Sequence, residues 1–149
     1  MKKVKTAVVG ASGYTGQELL RILLRHPGVE LVCATSRQYA GKPLSDVFPR
    51  FRNVPGAELQ FTDSDVAAIA ATGAEAAFLA LPHGVSASYG RGLVDAGIRV
   101  IDLSADFRLN DPAVYEDFYG KPHPDAELMQ EAPYGMPAKP GFGEAGLLL

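Results

Sequence analysis

The chain has 149 residues, 47% of them hydrophobic and 21% charged, with a formal net charge of -3 at neutral pH. These values are typical of one soluble globular domain and argue against an intrinsically disordered chain. No apolar run reaches the roughly 18 residues that a membrane-spanning helix needs, and the mild acidity offers no general attraction to nucleic acid or anionic membranes.

The first half of the chain alternates strand and helix patterns. Small and β-branched residues predict a buried strand over Val4–Val9, and a glycine-rich turn separates it from an apolar helical pattern over residues 14–25. Pro27 should end this helix, because proline cannot continue it. A second strand is predicted over residues 29–35, whereas the prolines of residues 36–55 predict an irregular segment.

The second half continues the alternation and then becomes rich in proline and glycine. Asp63 or Ser64 is predicted to cap a short helix. The predicted elements are that helix over residues 65–71, a buried strand over 74–81, a helix over 85–96, a strand over 99–103, and short helices over 112–118 and 125–130.

The order of these elements predicts the fold class. Apolar strands that alternate with helices are typical of a parallel sheet covered on both faces. Because parallel crossovers are right-handed, the sequence predicts a doubly wound α/β sheet of the Rossmann type.

The turn after the first strand contains the sequence Gly10-Ala11-Ser12-Gly13-Tyr14-Thr15-Gly16. Its glycine spacing is a variant of the dinucleotide-binding fingerprint. Gly10 would permit the tight turn, Gly13 the approach of a pyrophosphate, and Gly16 close packing of helix and strand. Hydroxyl groups of Ser12 and Thr15 could add donors beside the helix N-terminus, which favours anions. The alternative is a glycine-rich turn that only packs well.

The end of the second strand bears on which dinucleotide would bind. NAD-binding domains usually carry an acid about 20 residues after the motif to hold the ribose 2′-hydroxyl. Here the residues are Ser36 and Arg37, and Glu30 lies at the wrong end of the strand. Arginine pairs with a 2′-phosphate that an acid would repel, so NADP is favoured over NAD. Alternatively Arg37 is a solvated charge, and Lys42 could be equally placed.

Two further loops follow strands at the same predicted edge. Pro82 would fix the first loop, and His83 could contact a ligand there or simply bond to the backbone. In the second loop, Arg108 could clamp a carboxylate or phosphate. A structural alternative is an ion pair between Asp106 and Arg108, and Asp102 could brace the loop.

The remaining candidate side chains have structural interpretations. Cys33 is the chain's single cysteine and lies inside a predicted strand, where a thiolate has neither exposure nor a base. It cannot form an internal disulfide, which fits a reducing, cytoplasmic compartment. His26 and His123 are flanked by prolines and are predicted to be surface turn residues.

The motifs together resemble one family. The glycine turn, Thr35-Ser36-Arg37, Leu81-Pro82-His83-Gly84, residues 102–108 and Tyr134-Gly135-Met136-Pro137 occur in this order and spacing in the N-acetyl-gamma-glutamyl-phosphate reductase family. The resemblance implies NADPH-dependent reduction of an acyl phosphate in arginine biosynthesis, through a cysteine nucleophile and a histidine of a second domain. It also implies cofactor contacts from the glycine turn (Tyr14 included), Ser36, Arg37, Pro82 and His83, and substrate contacts from Ser104 and Arg108.

The resemblance ends near Pro137. The family's nucleophile follows in an Asn-Pro-Gly-Cys stretch, whereas this sequence continues Ala138-Lys139-Pro140-Gly141 and ends at Leu149. We therefore expect a dinucleotide-binding domain over residues 1–137, a divergent tail over 138–149, and no catalytic residue within the chain. Such a fragment would be inactive alone. Full-length members of the family are expected to form homo-oligomers.

Two alternatives remain for the function. The chain could be a stand-alone NADP-binding module without catalysis. It could also derive from the related reductase of lysine biosynthesis, which acts on the one-carbon-longer aminoadipyl phosphate, because nothing in the sequence separates the two substrates.

Overall fold

The computed structural model describes residues 2–135 around a parallel sheet of four strands. The strands are β1 (Val4–Val9), β2 (Val29–Ala34), β3 (Ala76–Leu79) and β4 (Arg99–Asp102). Their order is β2-β1-β3-β4, so the chain moves outward from β1 in one direction and from β3 in the other. This arrangement confirms the predicted doubly wound sheet and creates a topological switch point between β1 and β3.

The helices lie between and after the strands. They are α1 (Tyr14–Leu23), α2 (Leu44–Val47), α3 (Val66–Ala71), α4 (Ala87–Asp95), α5 (Pro112–Tyr119) and α6 (Ala126–Glu131). None of these helices within residues 2–135 is long and apolar enough to cross a lipid bilayer.

The segment predicted to be irregular contains α2 and a 3-10 turn over Pro49–Phe51. Pro43 immediately precedes α2, and Pro49 is the first residue of the 3-10 turn. Proline is tolerated at the start of a helix, since its fixed φ suits the first turn and its missing N–H is not needed there. These prolines therefore begin short helical turns instead of preventing them.

Each face of the sheet is covered by its own apolar cluster. Val8 packs with Leu20 of α1, whereas its neighbours Ala7 and Val9 belong to a cluster that includes Leu93 of α4. Successive residues of a strand point to opposite faces, so β1 is buried on both faces over residues 6–9, whereas Val4 and Lys5 at its start are exposed. Cys33 is also buried, as predicted, and burial raises the pKa of its thiol.

Two local predictions are wrong. The cap of α3 is Asp65, whose carboxylate accepts a hydrogen bond from the Ala68 amide at 2.8 Å, and not Asp63 or Ser64. His123 is buried rather than on the surface, because the rings of Phe107 and Tyr115 pack against it at centroid distances of 5.2 and 4.7 Å.

An ion pair joins α4 to the start of α6. Arg91 donates to both carboxylate oxygens of Asp125, at 2.7 and 3.0 Å, and the hydrogen bond from Arg91 is the main cause that lowers the Asp125 pKa. A carboxyl group with a lowered pKa in the folded state stabilises the fold above its unfolded pKa, and this contribution is lost as the pH falls through the lowered value.

We therefore expect Asp125→Asn to lower the melting midpoint by a few degrees at neutral pH, with a difference from wild type that vanishes in strong acid. Asparagine retains the N-cap of α6, so the variant isolates the ion pair. Melting curves recorded by circular dichroism between neutral and acidic pH would check this. A difference that persists unchanged below the lowered pKa would contradict it.

Candidate functional site

A cavity of about 360 Å³ lies where the carboxyl ends of β1, β2 and β3 meet. Parallel α/β sheets bind ligands at this edge, beside the switch point. Of the residues predicted to contact a cofactor, the cavity is lined by Gly10, Ser12, Ser36, Arg37 and Pro82. The structure therefore brings together residues that lie up to 72 positions apart in the sequence.

The three glycines of the turn have different structural roles. Gly10 has a φ of +80°, and a Cβ there would lie 2.6 Å from the carbonyl oxygen of Ala80. At Gly16 a Cβ would overlap the backbone of Gly10 and Ala11, so α1 packs closely on the turn itself and not on the strand as predicted. At Gly13 the nearest atom, the Gly10 carbonyl oxygen, would lie at an ordinary 3.6 Å. Gly13 alone is not required by the protein's own packing.

The N-terminus of α1 has no side-chain cap. Aspartates cap α3, α5 and α6, and Asp106 accepts from the first amide of α4 at 2.9 Å. Gly13 precedes α1 in an extended conformation, and no side chain of the described residues accepts from the first turn of this helix. Amides without acceptors, together with the helix dipole, are suited to a phosphate group.

A chain of hydroxyl groups leads to the same turn. The Ser36 hydroxyl accepts from the Tyr39 amide at 3.3 Å and donates to the Ser12 oxygen at 2.9 Å. Ser36 is buried and its hydroxyl proton is engaged in this bond, which leaves the proton of Ser12 available for a ligand in the cavity.

The remaining residues predicted to contact the cofactor lie at the rim of the cavity or outside its lining. Arg37 is exposed at its rim, whereas Lys42 is not among the lining residues. Tyr14 and Thr15 begin α1 and are exposed, Tyr14 to 94%. His83 lies outside the cavity lining, and its ring packs on that of Tyr119 with centroids 5.5 Å apart.

Thr35 and Ser64 belong to this site, although the sequence analysis did not single out either as a site residue. The fully buried Thr35 hydroxyl oxygen accepts from the Gly10 amide at 3.1 Å and from the Ser64 hydroxyl at 2.7 Å. A hydroxyl that directly follows the apolar residues 31–34 at the carboxyl end of the strand is the signal that could have identified Thr35. It holds the glycine turn to the end of β2.

Thr35→Val keeps the shape of the side chain but leaves these two donors without an acceptor. We expect the free energy of unfolding to fall by about 1–3 kcal/mol, the usual cost of a buried unsatisfied polar group. Thr35→Ser, which keeps the hydroxyl, is the matched control and should lose less. Chemical denaturation of both variants would measure the difference, and equal losses would show that the hydroxyl is unimportant.

A second cavity of about 200 Å³ contains both predicted substrate contacts. Ser104 and Arg108 line it together with Tyr134 and Gly135. The exposed Arg108 side chain donates to the Leu103 carbonyl at 3.3 Å, so its remaining donors are available for an anion. Met136, Pro137 and the predicted tail over residues 138–149 lie outside the described residues.

The alternative of an ion pair between Asp106 and Arg108 is wrong. Asp106 is fully buried and accepts instead from the Gly84 and Ala87 amides, at 2.6 and 2.9 Å. Bracing by Asp102 is confirmed, because its carboxylate accepts from the hydroxyls of Ser86 and Ser104, each at 2.6 Å. Both carboxylates thus join the loop after β3 to the loop after β4.

The sequence is similar to several known proteins. It is 79% identical over 137 residues to N-acetyl-gamma-glutamyl-phosphate reductase of Akkermansia muciniphila, covering 92% of this chain and 40% of that protein. It is 51% identical over 135 residues to the [LysW]-L-2-aminoadipate/[LysW]-L-glutamate phosphate reductase of Saccharolobus solfataricus, covering 91% and 38% respectively. The chain therefore spans about two fifths of the length of these curated relatives.

Solved structures and a family description agree with the fold. Aspartate semialdehyde dehydrogenase with NADP from Candida albicans matches with a TM-score of 0.62 and 22% identity, covering 73% of this chain and 32% of that chain. Residues 5–139 match the family described as semialdehyde dehydrogenase, NAD binding domain. The match includes the glycine turn and the loops that line both cavities, and the chain belongs to this family of semialdehyde dehydrogenase NAD-binding domains.

Proposed function

We propose that the chain binds NADP at the crevice beside the switch point. The observation that carries this proposal is the uncapped N-terminus of α1, which follows a glycine turn and opens beside the cavity. The pyrophosphate would accept hydrogen bonds from the first-turn amides and the Ser12 hydroxyl. The room beside Gly13 supports this fit, because a Cβ would occupy it.

The charges at the end of β2 favour NADP over NAD as the bound dinucleotide. Arg37 lies at the rim of the cavity beside Ser36, where the ribose of a bound dinucleotide is expected. No acid lines this cavity, so a 2′-phosphate would meet a guanidinium and no repelling carboxylate. The Ser36 hydroxyl donates to Ser12 in the absence of a ligand. Ser36 would therefore donate to the 2′-phosphate only if its hydroxyl turned away from Ser12; otherwise Arg37 alone would bind the phosphate.

The proposed substrate is an acyl phosphate. We infer that the chain is the cofactor domain, over residues 1–137, of a reductase that converts N-acetyl-glutamyl 5-phosphate to the 5-semialdehyde and phosphate. The identity of 79% to a relative of that name supports this, while the 51% identity to a relative named for aminoadipate and glutamate substrates keeps the lysine-pathway reaction as the second candidate. Arg108 and Ser104 would bind the anionic substrate in the second cavity.

The bound cofactor would supply the hydride, and this chain's residues would bind and orient it. The single cysteine, Cys33, cannot be the nucleophile that such a reduction needs, because it is buried and burial raises its pKa. We therefore propose that the chain alone does not catalyse the reaction. A cytoplasmic location and a homo-oligomeric full-length enzyme are parts of the same proposal.

Titration of the purified chain with NADPH tests the central claim. We expect saturable binding with one site per chain, seen as a change in nicotinamide fluorescence and as heat in calorimetry. NADH should bind more weakly. A chain that is natively folded by circular dichroism but gives no signal with either reduced dinucleotide would overturn the proposal.

A further inference from the structure

Asp106 is a fully buried carboxylate with three hydrogen-bond donors around it. The amides of Gly84 and Ala87 donate to its two oxygens at 2.6 and 2.9 Å, and the Tyr115 hydroxyl donates at 3.2 Å. Among the described residues it takes part in no ion pair. The carboxylate is therefore held by the loop after β3 on one side and by α5 on the other.

The Gly84 amide belongs to the loop after β3, which borders the cofactor crevice, and the Ala87 amide begins α4 directly after this loop. Pro82 and Val85 of this loop line the cavity, and Gly84, with a φ of +77°, lies between them. The N-cap residue of α4, Ser86, makes no capping bond of its own. Its hydroxyl donates to Asp102, and the first amide of the helix, that of Ala87, donates to Asp106.

The Tyr115 hydroxyl of α5 also holds the Asp106 carboxylate in place. Burial and the neighbouring Asp106 charge raise the pKa of Tyr115 to about 12, which keeps the phenol protonated and able to donate at neutral pH. Hydrogen bonds from amides and hydroxyls to a carboxylate are charge-assisted and stronger than neutral ones. The loop conformation is thus imposed by a group on another element and not by the loop's own side chains.

We propose that Asp106 is a positioning residue for the dinucleotide site, which holds the wall formed by Pro82 and Val85 in the conformation that receives the cofactor. This inference rests on the proposed binding of NADP at the crevice. Pre-organisation of the wall removes an ordering cost that binding would otherwise carry. Asp106 itself does not line the cavity, so its effect on the cofactor passes through the two amides.

The test compares Asp106→Asn with Tyr115→Phe in the full 149-residue chain. Asparagine has one acceptor oxygen, so its NH2 group must face one of the two amides and the loop is released. We expect the Kd for NADPH to rise about tenfold, as for loss of one hydrogen bond to a charged group. Tyr115→Phe removes a donor but leaves both amide bonds, so its Kd, corrected for the folded fraction, should stay within about twofold of wild type.

The ratio of NADPH to NADH affinity is the second readout, and it should be the same in Asp106→Asn as in wild type because Arg37 is untouched. A carboxylate that only stabilises the fold would lower the melting midpoint of both variants and leave the corrected Kd of both unchanged, which would overturn the inference. Wild-type chain that binds neither dinucleotide would instead overturn the proposed function.

Hydrogen exchange of the wild type keeps the inference testable if Asp106→Asn does not fold. We expect the Gly84 and Ala87 amides to be protected in the cofactor-free chain and to gain little protection when NADPH is added. Unprotected amides in the cofactor-free chain would show that Asp106 does not hold this loop in advance of binding.

Discussion

Gly13→Ala is expected to weaken NADPH binding at least tenfold while changing the free energy of unfolding by no more than about 1 kcal/mol. The new Cβ would meet no protein atom closer than 3.6 Å, and Gly13 has an ordinary φ of −72°. The methyl group would, however, lie beside the first-turn amides of α1, which the pyrophosphate has to approach. The substitution therefore separates binding from folding.

Gly97→Ala is the matched control for this prediction. Gly97 has a φ of +77° and precedes β4, at the opposite end of the sheet from the crevice. Alanine is strained in this left-handed conformation, so we expect a loss of about 1–2 kcal/mol in stability with no change in the Kd for NADPH. Urea denaturation and fluorescence titration of both variants would measure the two effects. If Gly13→Ala bound NADPH as tightly as wild type, the glycine turn would be a packing feature only.

The comparison of these glycines shows what a sequence motif can predict. The spacing of Gly10, Gly13 and Gly16, with a strand before and a helix after, was enough to predict the turn, because the turn follows from a local pattern. The doubly wound sheet was predicted from the alternation of strands and helices along the chain. The need for glycine at position 10 depends on Ala80 and Leu81, which follow β3 and approach Gly10 in the fold. That contact is set by the sheet order, which local patterns only suggest.

Apart from the Asp65 cap of α3, the main contacts that the sequence analysis missed join segments that are distant in the chain. Thr35 binds the amide of Gly10, and Asp106 binds amides 19 and 22 positions away rather than the guanidinium two positions along. Proximity in sequence made Arg108 one alternative partner for Asp106. Burial decided otherwise, because the enclosed Asp106 carboxylate needs donors and the two backbone amides supply them, whereas Arg108 reaches solvent. His123 was misplaced for a similar reason, since aromatic rings from two segments enclose it.

Arg37→Asp is expected to raise the Kd for NADPH about 100-fold and to change the Kd for NADH by less than about threefold. The guanidinium would make charge-assisted bonds to the 2′-phosphate, each contributing about 1.5–3 kcal/mol, and aspartate would add repulsion. NADH carries a hydroxyl instead of a phosphate at this position, so it loses no phosphate contact, and an acid there can accept a hydrogen bond from that hydroxyl. Arg37 is exposed and has no ion pair among the described residues, so stability should be unaffected.

Lys42→Asp tests whether loss of any positive charge near β2 raises the Kd for NADPH as much as loss of Arg37 does. Lys42 is exposed but outside the cavity lining, so the net charge of the two variants is the same while only Arg37→Asp changes the crevice. We expect Lys42→Asp to raise the Kd for NADPH by less than about threefold, through long-range electrostatics that 0.5 M salt would screen (a Debye length of about 4 Å). Equal losses in the two variants, or equal losses of NADPH and NADH in Arg37→Asp, would remove Arg37 from the site that selects the 2′-phosphate.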